Sequence, residues 1–252
     1  NALTALHIGS KDDEGVKRTV HTAVIICLAG GILITVFGIL FSHNILALMN
    51  TKDELIDGAV LYLRIYLLGM PALGLYNFGN AVLSAAGDTK RPLYYLAFAG
   101  VVNVILNLFF VIVCHLGVAG VALASMISQF ISAFLILRAL LTGKEKYCLR
   151  LSEIRFDKRK AVGILQIGIP SAFQYSLFAF ANLFVQSSVN SFDHVLVEGN
   201  SAAANADPLV YDMMAAFYTA CSSFIAQNFG ARKKKRILQT YLICLFYSFI
   251  TS

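Results

Sequence analysis

Chemistry in this sequence is concentrated in polar side chains that interrupt long apolar stretches, because hydrocarbon leaves every such group in need of a partner. Asn103 and Asn107 lie four residues apart in an uncharged stretch and so share one helical face. On residues alone they suit interhelical hydrogen bonding, worth about 0.6 kcal/mol per contact. Downstream, Ser125, Gln129 and Ser132 form a polar stripe, beside a small-residue stripe of Gly120, Ala124 and Ser128 suited to close helix packing. Ser125 can also bond back to its own helix. A further stripe joins Ser171, Gln174, Asn182 and Gln186, with Tyr175 alongside. That is too many amides for a lipid-facing surface, so the stripe either packs inside a bundle or lines a wet cavity.

Charged candidates are few. Asp207-Pro208 reads as an N-cap followed by a first-turn proline. Asp212 lies a turn further in and shares a face with Thr219 and Ser223. It is either a proton or cation site or an exposed carboxylate at the outer helix end. Arg64 must reach water or a partner, since a central arginine costs at least about 2.5 kcal/mol; Asp53, Glu54 and Asp57 are the acids nearest in sequence. The five histidines are scattered near helix ends, and none of the five cysteines forms a CxxC pair, so no metal or disulfide framework is implied.

The elements that position these groups are membrane helices. Apolar residues make up 58% of the 252 and charged residues only 13%, with a mean hydropathy of +0.72. Soluble domains carry about 25% charged residues, so soluble enzymes are excluded first. No Asp, Glu, Lys or Arg occurs between Arg18 and Lys52, or from Leu93 to Leu137. Each run exceeds the roughly 20 residues that cross a bilayer, and His115-Leu116-Gly117 divides the second into two helices. Ala161–Phe192, Pro208–Phe229 and the start at Ile237 give further spans, and 58–86 reads as one helix kinked at Pro71. Asn1–Ile8 reads as a helix tail, and with neither initiator Met nor signal pattern the chain is expected to be a fragment at both ends. Loops 10–18, 86–92, 138–160 and 230–236 hold eighteen of the twenty basic residues, which assigns them to the cytoplasmic side. The same sorting accounts for the net charge of +6 without nucleic acid.

The chain also carries an internal echo. Ala5-Leu-His-Ile-Gly9 followed by a charged loop, and Ala226-Gln-Asn-Phe-Gly230 followed by another, each precede an apolar helix. Duplication in transporters leaves such weak symmetry, although any helix can end in Gly before a polar loop. The expected organisation is an all-α bundle pair: an incomplete N-terminal bundle over 1–141, a cytoplasmic connector over 142–160 and an incomplete C-terminal bundle over 161–252.

Several segments together carry a resemblance that covers the whole chain: Tyr62-Leu-Arg-Ile-Tyr-Leu-Leu-Gly-Met-Pro71, Leu83-Ser-Ala-Ala-Gly-Asp-Thr-Lys-Arg-Pro92, Gly117-Val-Ala-Gly-Val-Ala-Leu-Ala-Ser-Met-Ile-Ser-Gln129, Gly168-Ile-Pro-Ser171 and Ala226-Gln-Asn-Phe-Gly-Ala231. In order and spacing it resembles the MATE (multidrug and toxic compound extrusion) family. The resemblance implies a polytopic fold of two pseudo-symmetric bundles of the MATE/MOP type facing a central cavity. The chain would cover the end of the second to the start of the ninth helix. It implies a secondary active transporter of the plasma (inner) membrane, a monomer, that exports organic and often cationic compounds by alternating access in exchange for protons or sodium. No other cofactor and no enzymatic step is expected.

On that map Asn103, Asn107 and Ser125 fall at an N-bundle cation site, where Asn107 departs from the aspartate some members carry and cannot titrate. Gln129, Gln174, Tyr175, Asn182 and Gln186 become substrate-cavity candidates, and Asp212 a second ion-site candidate. The alternatives are a lipid-linked precursor flippase of the same superfamily, which should show several inward basic residues, and a non-transporting scaffold, which has no need of polar stripes. The topology is testable by cysteine labelling of intact cells: single cysteines replacing Lys90 and Lys146 should be protected and one replacing Asp193 labelled, whereas labelling of all three would refute it.

Overall fold

A computed structural model describes residues 1–48, 53–143, 145–189 and 194–251, with side chains except at 53, 183, 186–189, 194–210 and 251. The described chain is helical: α1 Ala2–Gly9, α2 Asp13–Leu48, α3 Asp53–Leu67, α4 Met70–Ala85, α5 Lys90–Leu108, α6 Gly117–Thr142, α7 Lys158–Val189, α8 His194–Gly230 and α9 Lys234–Thr251. Helices are what an apolar sequence must form in lipid, since they satisfy every interior backbone group within the segment. Among the described residues α2, α5 with the turn after it, α6 and the first part of α7 are each long and apolar enough to cross a membrane, and α3 with α4 meets the same measure only as a bent pair.

Two of the expected breaks are present, each with a local cause. Between α3 and α4 the axis bends by 43°, where Gly69 precedes α4 and Pro71 occupies its first turn. Thr35 Oγ1 fastens the bend to α2 by donating to Leu67 O (2.7 Å). After α5 the chain loosens into a π-helical turn, Phe109–Val113. Leu116 N–H then reaches back to Phe110 O (3.0 Å), and His115 takes a positive φ of 54° before α6 begins.

Two boundaries differ from the sequence reading. Residues 42–55, which carry Lys52 as their one lysine or arginine and so read as an outer loop, begin as helix instead, because α2 continues to Leu48. The Asp207-Pro208 cap does not occur: α8 runs unbroken from His194 to Gly230. The alanine-rich Ser201-Ala-Ala-Ala-Asn-Ala favours helix, and interior prolines are tolerated where neighbouring groups re-satisfy the backbone.

The chain divides into two compact units, Asn1 with Asp13–Asp157, and Ala2–Asp12 with Lys158–Ser252. In the first, α4 is the central element and packs on α2 and α6, burying Ala72, Tyr76, Phe78, Val82 and Leu83. Gly31 admits the Pro71 backbone and Gly79 admits the Ile136 side chain. Leu33, Phe37 and Leu40 on α2 and Val101 and Ile105 on α5 stay more than half exposed. An apolar surface this continuous is costly in water but suits lipid. The connector is held to the first unit through its backbone: Arg150 N–H donates to His21 Nε2 (3.3 Å) and Asp157 N–H to Thr22 Oγ1 (3.1 Å).

In the second unit α1 packs on α8, which also packs on α9, and the sequence echo becomes a structural one. Ser10, Lys11 and Asp12 N–H donate to Leu6, Ile8 and His7 carbonyls at 3.0, 3.1 and 3.0 Å. Ala231, Arg232 and Lys233 N–H donate to Gln227, Phe229 and Asn228 carbonyls at 3.0, 3.0 and 2.9 Å. Each set is a Schellman cap, and each places a basic residue in the left-handed region, Lys11 (φ 59°) and Arg232 (φ 56°). The two helix ends also meet reciprocally: a methyl group at Gly9 would strike the Gln227 carbonyl, and one at Gly230 the Leu6 carbonyl. Gly9→Ala and Gly230→Ala should therefore each cost about 1–3 kcal/mol and lower the melting temperature of the purified full-length protein. Gly30→Ala, where no atom lies within 4 Å, should not. Equal melting of all three variants would contradict this close crossing.

Candidate functional site

The first unit gathers three of the sequence candidates, one of the amides from α5 and a neighbour from α6 forming the centre. Asn103 Nδ2 donates to Ser128 Oγ (3.3 Å) and Ser125 Oγ (3.5 Å). Asn107 Nδ2 donates to Asn103 Oδ1 (3.0 Å). The directions follow from one constraint. Ser128 spends its proton on Ser125 O (2.9 Å), so its oxygen must accept, which turns the Asn103 amide nitrogen toward α6 and its oxygen toward Asn107. Asn107 then meets that oxygen with its own nitrogen, and its carbonyl oxygen is left over.

That oxygen, Asn107 Oδ1, is buried without a hydrogen-bond partner, as is Gln129 Oε1 one turn along α6 from Ser125. An orphaned buried acceptor costs about 1–3 kcal/mol. The Gln129 side chain lies against the break between α3 and α4, where a methyl group on Gly69 would meet its Oε1. Neutral amide and hydroxyl oxygens in this setting can ligate a monovalent cation, and none of them carries a proton to exchange near neutrality. Ser132, the last member of the stripe, bonds back to Gln129 O (2.9 Å).

Ser128 was missed as a polar partner, because its place in a small-residue stripe pointed to close packing instead. Arg64, expected to reach water or a partner, takes a hydroxyl: Nε donates to Ser42 Oγ (2.9 Å) across α3 and α2. Ser42 is fully buried and passes its proton to Ile39 O (3.0 Å).

The second unit does not assemble its candidates. Gln174, Tyr175 and Asn182 are exposed on α7, as are Phe173 and Phe180 away from that face and Phe178 within it; the Gln186 side chain lies outside the described residues. Ser171 Oγ donates to Ile167 O (2.9 Å) within its own helix. Asp212 is exposed on α8. Its face-mates are occupied locally, Thr219 Oγ1 with Ala215 O (2.8 Å) and Ser223 Oγ with Thr219 O (3.1 Å). Outside the spans, Lys17 hydrogen-bonds Glu153 and holds its carboxyl below the usual range. No group of three metal-ligating side chains occurs among the described residues.

Bent and unbroken apolar helices, a repeated helix-cap-helix unit and a buried amide–hydroxyl cluster define a multi-pass integral membrane protein. The MatE family profile matches residues 1–109 and 170–252. A probable multidrug resistance protein of Bacillus subtilis, YpnP, is 31% identical over 230 residues, covering 91% of this chain and 51% of the relative. An FAD transporter of Shewanella oneidensis is 23% identical over 94% of this chain and 54% of its own length. A crystal structure of MATE in complex with MaD5 superposes with a TM-score of 0.90 at 23% identity, over 99% of this chain and 57% of that one. The chain belongs to the MatE family, and it spans about half the length of the curated relatives it matches.

Proposed function

We propose that the full-length gene product is a cation-coupled efflux transporter, exporting organic and often cationic compounds by alternating access, with sodium bound at Asn103, Asn107 and Ser125. The observation that carries this reading is the orphaned Asn107 Oδ1 at the end of the Asn103 relay. Evolution keeps unpaired buried acceptors rarely, and a small cation would satisfy this one. Amides and hydroxyls do not titrate between pH 5 and 8, so the cluster favours a metal cation over a proton. Membership of the MatE family and the multidrug resistance relatives support export. Repeats related by an internal symmetry suit alternating access.

The neutral stripe of Gln174, Tyr175, Asn182 and Gln186 then serves as substrate contact on the second unit, and Gln129 as a substrate contact on the first. Asp212, on the other repeat, is the alternative coupling site. The protein acts as a monomer in the plasma membrane and makes or breaks no covalent bond.

Ion-driven efflux of an organic cation from proteoliposomes tests the assignment. Asn107→Leu in the full-length protein should insert normally yet lose sodium-driven efflux by about tenfold or more, the equivalent of one lost buried hydrogen-bonding group. Asn107→Asp should keep efflux and acquire a dependence on pH. Wild-type efflux that ignores sodium, or Asn107→Leu efflux equal to wild type with Asp212→Asn inactive, would move coupling away from this cluster.

A further inference from the structure

The two repeat-related turns share a backbone and differ in charge. After the left-handed residue Lys11 come Asp12, Asp13 and Glu14; after the left-handed Arg232 come Lys233, Lys234 and Lys235, then Arg236. At the first turn the acids have partners within the chain: Asp12 contacts His7 (3.0 Å), Glu14 pairs with Arg18 (3.0 Å) and Asp13 with Lys146. Lys17 is likewise engaged by Glu153 and Arg91 by Asp88. At the second turn all five basic side chains are exposed, and among the described residues none joins an ion pair.

Topology alone does not require this arrangement. Positive-inside sorting counts Lys and Arg and is nearly indifferent to acids, so the acid-balanced first turn satisfies it as well. Lys233, Lys234, Lys235 and Arg236, with Gln239, line a shallow, open groove of about 460 Å³. Below that groove α9 presents Leu238, Tyr241 and Leu242, each at least half exposed. A cationic rim directly above an exposed apolar stripe matches one amphiphile: a negatively charged head group with acyl chains attached.

We propose that the Arg232–Arg236 turn binds the phosphate head group of an anionic phospholipid of the cytoplasmic leaflet, whose chains lie along Leu238, Tyr241 and Leu242. The lipid supplies in the second repeat the anion that Asp12, Asp13 and Glu14 supply in the first. A juxtamembrane lysine contributes measurably to anionic-lipid attraction, and three together with two arginines make a site that distinguishes anionic from zwitterionic lipid.

The test uses the full-length protein in nanodiscs of phosphatidylcholine with or without phosphatidylglycerol. Phosphatidylglycerol should raise the melting temperature of the wild type and remain bound in native mass spectra. The triple variant Lys233→Gln, Lys234→Gln, Lys235→Gln should lose the shift and retain about tenfold less of the lipid. The triple lysine-to-arginine variant, which keeps the charge, should behave as wild type, and cysteine labelling should show unchanged orientation for both. An undiminished phosphatidylglycerol effect in the glutamine variant would overturn the site. So would a wild-type shift produced equally by inorganic phosphate in pure phosphatidylcholine, which would make the groove a site for a free anion.

Discussion

A side-chain amide in hydrocarbon has to find partners for both its nitrogen and its oxygen, and the first unit is arranged around meeting that demand at Asn103. Its nitrogen is taken by two serines of α6 and its oxygen by Asn107 of α5, which ties the helices together at mid-span. The solution is incomplete by one acceptor, Asn107 Oδ1. Close approach elsewhere makes the relay possible: Ala122 and Ala124 on α6 are fully buried, and the α3–α4 bend brings Gly69 against Gln129. Packing and polarity are therefore parts of one design, since the small residues admit the neighbours that the polar residues need.

The repeat shows how a shared backbone can be given two uses. Both helix-capping turns make the same three hydrogen bonds and tolerate a basic residue in the left-handed region. Their glycines interlock, each facing the carbonyl three residues before the other. With the backbone held in common, side chains are free to diverge. One turn became an anchor for the connector through Asp13 and Lys146; the other became an exposed cationic edge above an exposed apolar helix face.

Much of this was legible in the sequence because membranes impose strong local rules. Charge-free runs marked the spans in α2, α5, α6 and the first part of α7, and Pro71 and His115 marked breaks that the structure contains. Asn103, Asn107 and Ser125 were legible as a group from spacing and resemblance. What escaped was decided by tertiary context. Ser128 has the size of a packing residue and the hydroxyl of a partner, and only the neighbouring helix chooses between them. Pro208 carries a strong local stop signal, yet α8 continues through it. Arg64 needed water or a partner, and the one it takes, Ser42, lies on the preceding helix. Association of α1 with α8 joins residues more than two hundred positions apart, and only the faint echo around Gly9 and Gly230 pointed to it.

The account rests on a cation completing the Asn103–Asn107 cluster, and equilibrium binding of radioactive sodium to the purified full-length protein measures that without transport. Saturable binding that potassium displaces poorly, that persists in Asp212→Asn and that disappears in the double variant Asn103→Leu, Asn107→Leu is the predicted result. Binding abolished by Asp212→Asn and untouched by the double variant would contradict it.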